Sequence, residues 1–582
     1  MEVIACRAPP GGVGHRCVTA LPSPSIRTRA LPQTEKPTAR LSGVRNEAAA
    51  ERGVGPRAFR LGVAGCAGAV AVFLLVQLSA RPPQEDETLA LFVGRNSVGG
   101  LFDIVLGERG GAPLHFVVAW AVAHLGGGLL ALRLCSALFA VASIPVVAAL
   151  VARLTDRTVA LAATALVSGS WVLLLQGVNG RMYSLFLCTS ALSYLALLAA
   201  LERGGGGRFA LWALAILATI ATHPYGALVL ASQGVYILLV RTRVREAVLA
   251  FGAVAVAGIP FWRTDLVLAG RFDVGVGGGG KLGGPWAVLE YLWRVAGDFS
   301  AGYPAALGPE LAVAAFGAWT LARARRSSAL LAAAVFLTPA LALLLVSLGN
   351  SHPRESRHLI FALPLFGMLV AAGLVEIARR RPRLGPAVAL AGAAVLLSTE
   401  VAWAWHKTPR LFTGEPRVRV EAREAAAAWL TQTGRPDDVL FGYDPLFLGA
   451  WERSRTGPRT VVPRADARLA LRALEAARKP LGRGVWVFDA SDTNNFVRRL
   501  TIPLRLPRPH TAFEGVVFGP FLIIRTREPT RVPREYLRLA ARTMRVGQSL
   551  LIGDADINLQ TVERAAARLD RESVRPLTTS AR

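Results

Sequence analysis

Three acids stand side by side in the stretch RPPQEDETLA: Glu85, Asp86 and Glu87. They follow an apolar run long enough to cross a bilayer, which fixes their depth. A carboxylate held there can take a proton from an attacking hydroxyl. Three other short stretches carry complementary groups. GRMYS holds Arg181 and Tyr183, THPYG holds His223 and Tyr225, and SHPRESRH holds Arg354, Arg357 and His358. Guanidinium groups bind phosphate through charge-assisted hydrogen bonds, and cations stabilise the charge that develops on a departing phosphate. The set therefore suits transfer of a group from a lipid phosphate. Each member also has a plainer reading: acids that fix topology, a snorkelling arginine, an aromatic ring at the interface.

The elements that must hold these groups are membrane helices. The chain of 582 residues is 53% hydrophobic and only 18% charged, against about 25% charged in an ordinary soluble domain. Eleven spans are expected, at 59–80, 129–151, 159–176, 183–200, 209–222, 226–240, 246–262, 305–322, 328–348, 358–378 and 385–405. PLHFVVAWAVAHLGGG is apolar but short and glycine-ended, so it reads as an interfacial or re-entrant helix.

The basic loops set the orientation. With the N-terminus inside, ARLTDRT, ERGGGGR, RTRVRE, ARARRSS and RRRPR fall on the cytoplasmic side, each with two or more arginines. All four chemistry-bearing stretches then fall on the opposite, external face. So do the long loops 81–128 and 263–304, the second with an amphipathic WAVLEYLWRVAGDF suited to an interface. The run GVGGGGK lacks the spacing of a phosphate-binding loop and reads as a tether.

Residues 1–58 are rich in Arg, Pro, Ser and Gly and read as a disordered cytoplasmic arm. The first apolar run lacks a convincing cleavage site and is expected to stay as a span. Residues 406–582 alternate helical and strand patterns: EAREAAAAWL, DVLFGY, ADARLALRALEAA, GVWVFDA and GVVFGPFLIIRT, with a last helical LQTVERAAARLD. A small extracytoplasmic α/β domain is expected there. The net charge of +27 lies in loops, the arm and the C-terminal region without any nucleic-acid motif, so nucleic acid is not expected as a partner. The five cysteines end at Cys188 and form no metal-type pair. No visible motif demands a metal, and a need for a divalent cation stays open.

The order of motifs resembles the GT-C superfamily of polyprenyl-phosphate-sugar-dependent glycosyltransferases. It is most similar to the family 39-like group of protein O-mannosyltransferases and aminoarabinose transferases. The matching pieces are Asp86-Glu87, PLHF at 113–116, the run 132–163, GRMYSLFL at 180–187, THPYG at 222–226 and SRHLIFALP at 356–364. They cover roughly residues 59–405.

The resemblance implies a GT-C fold and an inverting transfer, on the external face of the plasma membrane, from a polyprenyl-phosphate-linked sugar to a protein, lipid or glycan acceptor. It implies Asp86 as catalytic base, with Glu87 its neighbour in the acceptor or metal environment. Arg181 and Arg357 would face the lipid phosphate, with Arg354 a further cation there. His115 matches a polar position in the first-loop helix, and His223 the loop after the fifth span; Tyr183, Tyr225 and His358 would line the cavity. PLHF departs from the usual two prolines and an aromatic, and His358 stands where tyrosine is common. Two other functions compete. A transporter or flippase of a lipid-linked sugar would call for an inverted repeat and mid-span charges, neither of which is visible. A scaffold presenting the C-terminal domain would leave the acids to topology alone.

Overall fold

The computed structural model describes residues 54–81, 84–272, 285–299, 302, 304–347, 356–441, 460–462, 482–489, 513–519 and 521–527. Among them, seven helices are long and apolar enough to cross a bilayer: Pro56–Gln77, Leu129–Leu154, Tyr183–Arg203, Ala305–Ala324, Arg326–Leu345, Ser356–Arg380 and Gly385–Lys407. Two more crossings are bent pairs, and the shorter apolar helices Gly206–Thr222 and Gly226–Val240 fill the remaining two expected positions. The fold is the polytopic helical one that the apolar runs predict.

Two of the expected spans, 159–176 and 246–262, are bent pairs. Arg157–Gly169 and Trp171–Gly177 meet at 57°, as do Val244–Ala257 and Ile259–Leu268. Breaking a helix strands backbone groups, which must find partners in an apolar setting. At the first break, the Trp171 N–H donates to Glu400 Oε2 at 2.9 Å, and Ser170 Oγ donates to Phe299 O at 2.7 Å. Glu400 is 2% exposed inside the last long helix. A buried carboxylate therefore sits within a span.

Small residues and buried polar pairs join the helices. Gly317 and Gly373 lie where Pro304–Ala324 crosses Leu363–Arg380. A Cβ at either would run into the other helix's backbone, at Leu369 O and Val313 O. Trp212 Nε1 donates to Gln233 Oε1 at 2.7 Å, and Gln233 Nε2 donates to Ser193 Oγ at 2.8 Å. These bonds tie the helices Tyr183–Arg203, Gly206–Thr222 and Gly226–Val240 together.

The loop after the first span is folded. Glu85–Gly94 packs on Pro113–His124 through Leu89, Val93, Phe116 and Ala119. A π-helix, Asp103–Arg109, lies against Ile259–Phe272. The PLHF segment is the first turn of Pro113–His124, a short apolar helix of 12 residues, as expected. The amphipathic stretch of the second loop forms Pro285–Phe299 and packs on the turn Ser356–Ala362.

Beyond the last span, a mixed five-stranded sheet forms with order β2-β1-β3-β5-β4. Its strands are β1 Val439–Phe441, β2 Thr460–Val462, β3 Gly484–Asp489, β4 Phe513–Phe518 and β5 Phe521–Thr526. β2-β1-β3 are parallel and β3-β5-β4 antiparallel. The helix Arg417–Thr433 covers it with Ala426, Ala427 and Leu430. The run GVVFGPFLIIRT is a hairpin of two strands, turning at Gly519 with φ 51°. The expected helices at ADARLALRALEAA and LQTVERAAARLD lie outside the described residues, as does the arm 1–53.

Candidate active site

Glu87 anchors the site. It is the third residue of the Glu85–Gly94 helix, and its carboxylate is wholly enclosed. Arg133 grips it with two bonds, Nε to Oε1 at 2.9 Å and Nη2 to Oε2 at 2.8 Å. The Gly180 N–H donates to Oε1 at 2.5 Å and the Gln84 N–H to Oε2 at 2.8 Å. Burial alone would raise the Glu87 pKa. The charge and hydrogen bonds of Arg133, with the two N–H groups, outweigh it and hold the carboxyl below its usual value. Gly180 has to be small: a Cβ there would stand 3.1 Å from Glu87 Oε1 and 3.2 Å from Leu132. Arg133 also donates to Leu78 O at 3.2 Å and Arg81 O at 2.9 Å. One ion pair thus ties the end of the first span, the first-loop helix, the second span and the GRMYS loop.

Asp86 points elsewhere. Its Oδ2 lies 2.7 Å from Arg181 Nη2, and its side chain is 45% exposed where that of Arg181 is 11%. The two adjacent acids are therefore divided in role: Glu87 is consumed by packing, and Asp86 faces open space beside a guanidinium.

Arg181 leads into a cluster of rings and cations. Its guanidinium carbon lies 5.2 Å from the Tyr183 ring centroid, and that of Arg357 lies 5.0 Å from the same ring. Tyr183 meets His223 at 5.5 Å and His358 at 5.7 Å between ring centroids. Tyr225 closes the group, 5.4 Å from each histidine. His223 and His358 are 5.3 Å apart. Three stretches far apart in sequence thus meet around one tyrosine.

The His223 ring is held in a defined form. Its Nδ1 accepts the Tyr225 N–H at 3.0 Å. Burial first, then the charges of Arg181 and Arg357, pushes its pKa down to about 3, so the imidazole is neutral at physiological pH. Burial likewise holds the Tyr225 phenol protonated.

His115, by contrast, is buried in the core of the first loop, its ring 6.0 Å from Phe116. Arg354 and the rest of SHPRE lie outside the described residues. Among the described residues, no three His, Cys, Asp or Glu side chains are placed to hold a metal ion.

The sequence alone singles out neither Arg133 nor Arg81 as a site residue. Arg133 sits early in an apolar helix, where an arginine is costly unless paired, and that cost was the available signal. Arg81 carries no such mark. Burial pushes its pKa down to about 10; Glu87 works against this, while Arg133, Arg357 and Arg410 add to it.

No protein-family model matches the chain, and no curated protein matches it by sequence. Solved structures do. ArnT from Cupriavidus metallidurans in the apo state aligns with a TM-score of 0.52 at 15% identity, over 80% of this chain and 97% of that one. The same protein bound to undecaprenyl phosphate aligns with a TM-score of 0.50, also at 15% identity and over the same shares of each chain. An Archaeoglobus fulgidus oligosaccharyltransferase, in a complex with zinc and sulfate, aligns at 0.48 with 12% identity, over 73% of this chain and 68% of that one.

Proposed function

On the premise of a GT-C fold, we propose that this chain is a membrane glycosyltransferase. It moves a sugar from a polyprenyl-phosphate donor to a hydroxyl of a protein, lipid or glycan acceptor on the extracytoplasmic face of the plasma membrane. The observation that carries the reading is the Asp86–Arg181 pair at the edge of the cluster around Tyr183. A half-exposed carboxylate beside phosphate-binding groups is what the reaction needs. The likeness to a protein seen with undecaprenyl phosphate supports the donor class.

The acceptor oxygen attacks the anomeric carbon, its proton passes to Asp86, and the C–O bond to phosphate breaks from the opposite side. Asp86 is the general base. Arg181 and Arg357 take up the growing charge on the phosphate, with Arg354 as a further cation. Tyr183, in contact with both guanidinium groups, sets their positions, and neutral His223 can donate or accept a hydrogen bond without adding charge. Tyr225 and His358 complete the wall. Glu87 acts through position, by fixing the helix on which Asp86 stands. His115 supports the first-loop fold. On this reading the N-terminal arm is cytoplasmic and the sheet domain extracytoplasmic, which the arginine-rich loops favour.

The test is direct. Purified protein is given polyprenyl-phosphate sugars, and donor consumption is measured with Asp86 intact and as Asp86→Asn. Loss of turnover with donor binding kept supports the assignment. Turnover that survives the substitution removes Asp86 as base, and donor flipping without cleavage would make the chain a transporter.

A further inference from the structure

A polar cavity lies at the other end of the bundle. The Leu129–Leu154 helix begins near Glu87 and ends near Asp156, and 26 residues of helix separate the two ends by about 39 Å. Around Asp156 is a cavity of about 300 Å³. Its wall includes Asp156, Trp319, Arg323, Arg325, Arg379 and Arg380. Three of the arginine-bearing loops expected on the cytoplasmic side converge here: ARLTDRT, ARARRSS and RRRPR.

The charges are unequal. Arg379 Nη2 pairs with Asp156 Oδ2 at 2.8 Å, and Arg380 Nε with Glu376 Oε1 at 2.8 Å. Arg323 and Arg325 have no carboxylate partner among the described residues. Arg323 is nonetheless held: its guanidinium carbon lies 4.0 Å from the Trp319 ring centroid. Arg380 lies 5.3 Å from the same ring and 4.9 Å from that of Phe316, which stacks on Trp319 at 5.8 Å. Two guanidinium groups are thus set by one aromatic platform. Trp319 is 41% exposed, at a helix end where an indole marks the water–lipid boundary.

We propose that this cavity binds the phosphate of an anionic phospholipid head group from the leaflet opposite the active site. The cationic excess selects an anion, and arginines suit phosphate oxygens. Basic pockets between membrane helices take such head groups. The position where three helix-connecting loops meet, with an indole at the rim, favours a lipid over a soluble phosphate. This inference does not depend on the reaction proposed above.

Native mass spectrometry of the full chain in detergent tests it. Phosphatidylglycerol and phosphatidylcholine with the same acyl chains are the lipid probes; glycerophosphate and inorganic phosphate are the soluble ones. Phosphatidylglycerol should stay bound under activation that strips phosphatidylcholine. The double variant Arg323→Gln/Arg325→Gln should weaken that retention by about five-fold for each arginine removed. Arg203→Gln, which removes a charge from the same face away from the cavity, should leave it unchanged. Equal retention of the two lipids, an unaltered double variant, or an equal loss in Arg203→Gln would overturn the proposal. Saturation by glycerophosphate without preference for lipid would assign the cavity to a soluble phosphate and overturn the lipid assignment. If the glutamine protein does not fold, the lipid preference of the wild type and of Arg323→Lys/Arg325→Lys decides the matter.

Discussion

Glu87 and Arg133 are 46 residues apart and meet through two parallel hydrogen bonds where solvent does not reach. The pair fixes where Asp86 stands without taking part in the proposed chemistry. Removing one partner leaves the other as a buried, unmatched charge, which costs about 3–5 kcal/mol. Glu87→Gln and Arg133→Met should each lower thermal stability by that order in detergent. The double variant Glu87→Leu/Arg133→Met should lose less than the sum. Losses that simply add would mean the two side chains act independently.

Asp86→Asn should spare the fold, because Asp86 is half-exposed and outside the Glu87 network. Turnover should fall by about 10²–10⁴, the range for losing a positioned base. Donor affinity, read by titration, should hold or improve. A variant that loses donor binding and turnover together would place Asp86 in the donor pocket instead.

The guanidinium carbons of Arg181 and Arg357 lie 5.2 and 5.0 Å from the Tyr183 ring centroid, so removing the ring should disturb both. Tyr183→Leu should weaken donor binding by about 1–4 kcal/mol, from two cation–π contacts of about 0.5–2 kcal/mol each. Tyr183→Phe keeps the ring and should stay near wild type in donor affinity. Equal losses in the two variants would show that the hydroxyl matters and the ring does not.

His223 gives a pH dependence of known sign. Its pKa is pushed from 6.5 down to about 3 in the folded chain. Between those values the unfolded chain binds the proton and the folded chain does not, so stability falls as pH is lowered. Above about 6.5 this loss is absent. His223→Gln should therefore lose less melting temperature between pH 7 and pH 5 than the wild type does. Parallel losses in the two proteins would remove His223 as a source of that slope.

How far these features can be read from sequence differs from one residue to the next. Membrane helices announce themselves by continuous apolarity, so every expected span has a helix. The break at Ser170 stays hidden, because the run remains apolar through it and the compensating Glu400 is 229 residues from Trp171. The stretches GRMYS, THPYG and SRHLI could be grouped because span parity places them on one face, and the structure brings Tyr183, His223, Tyr225, Arg357 and His358 together. The contrast between Asp86 and Glu87 was not legible. Adjacent acids look alike until one meets Arg133 and the other Arg181.

On the proposed reading, the Asp86–Arg181 contact governs timing. Arg181 Nη2 holds Asp86 Oδ2 at 2.7 Å, so the proposed base and the proposed phosphate site share one guanidinium. A donor phosphate that draws Arg181 away would release the base only when there is a sugar to transfer. The substrates would then enter in compulsory order, donor before acceptor.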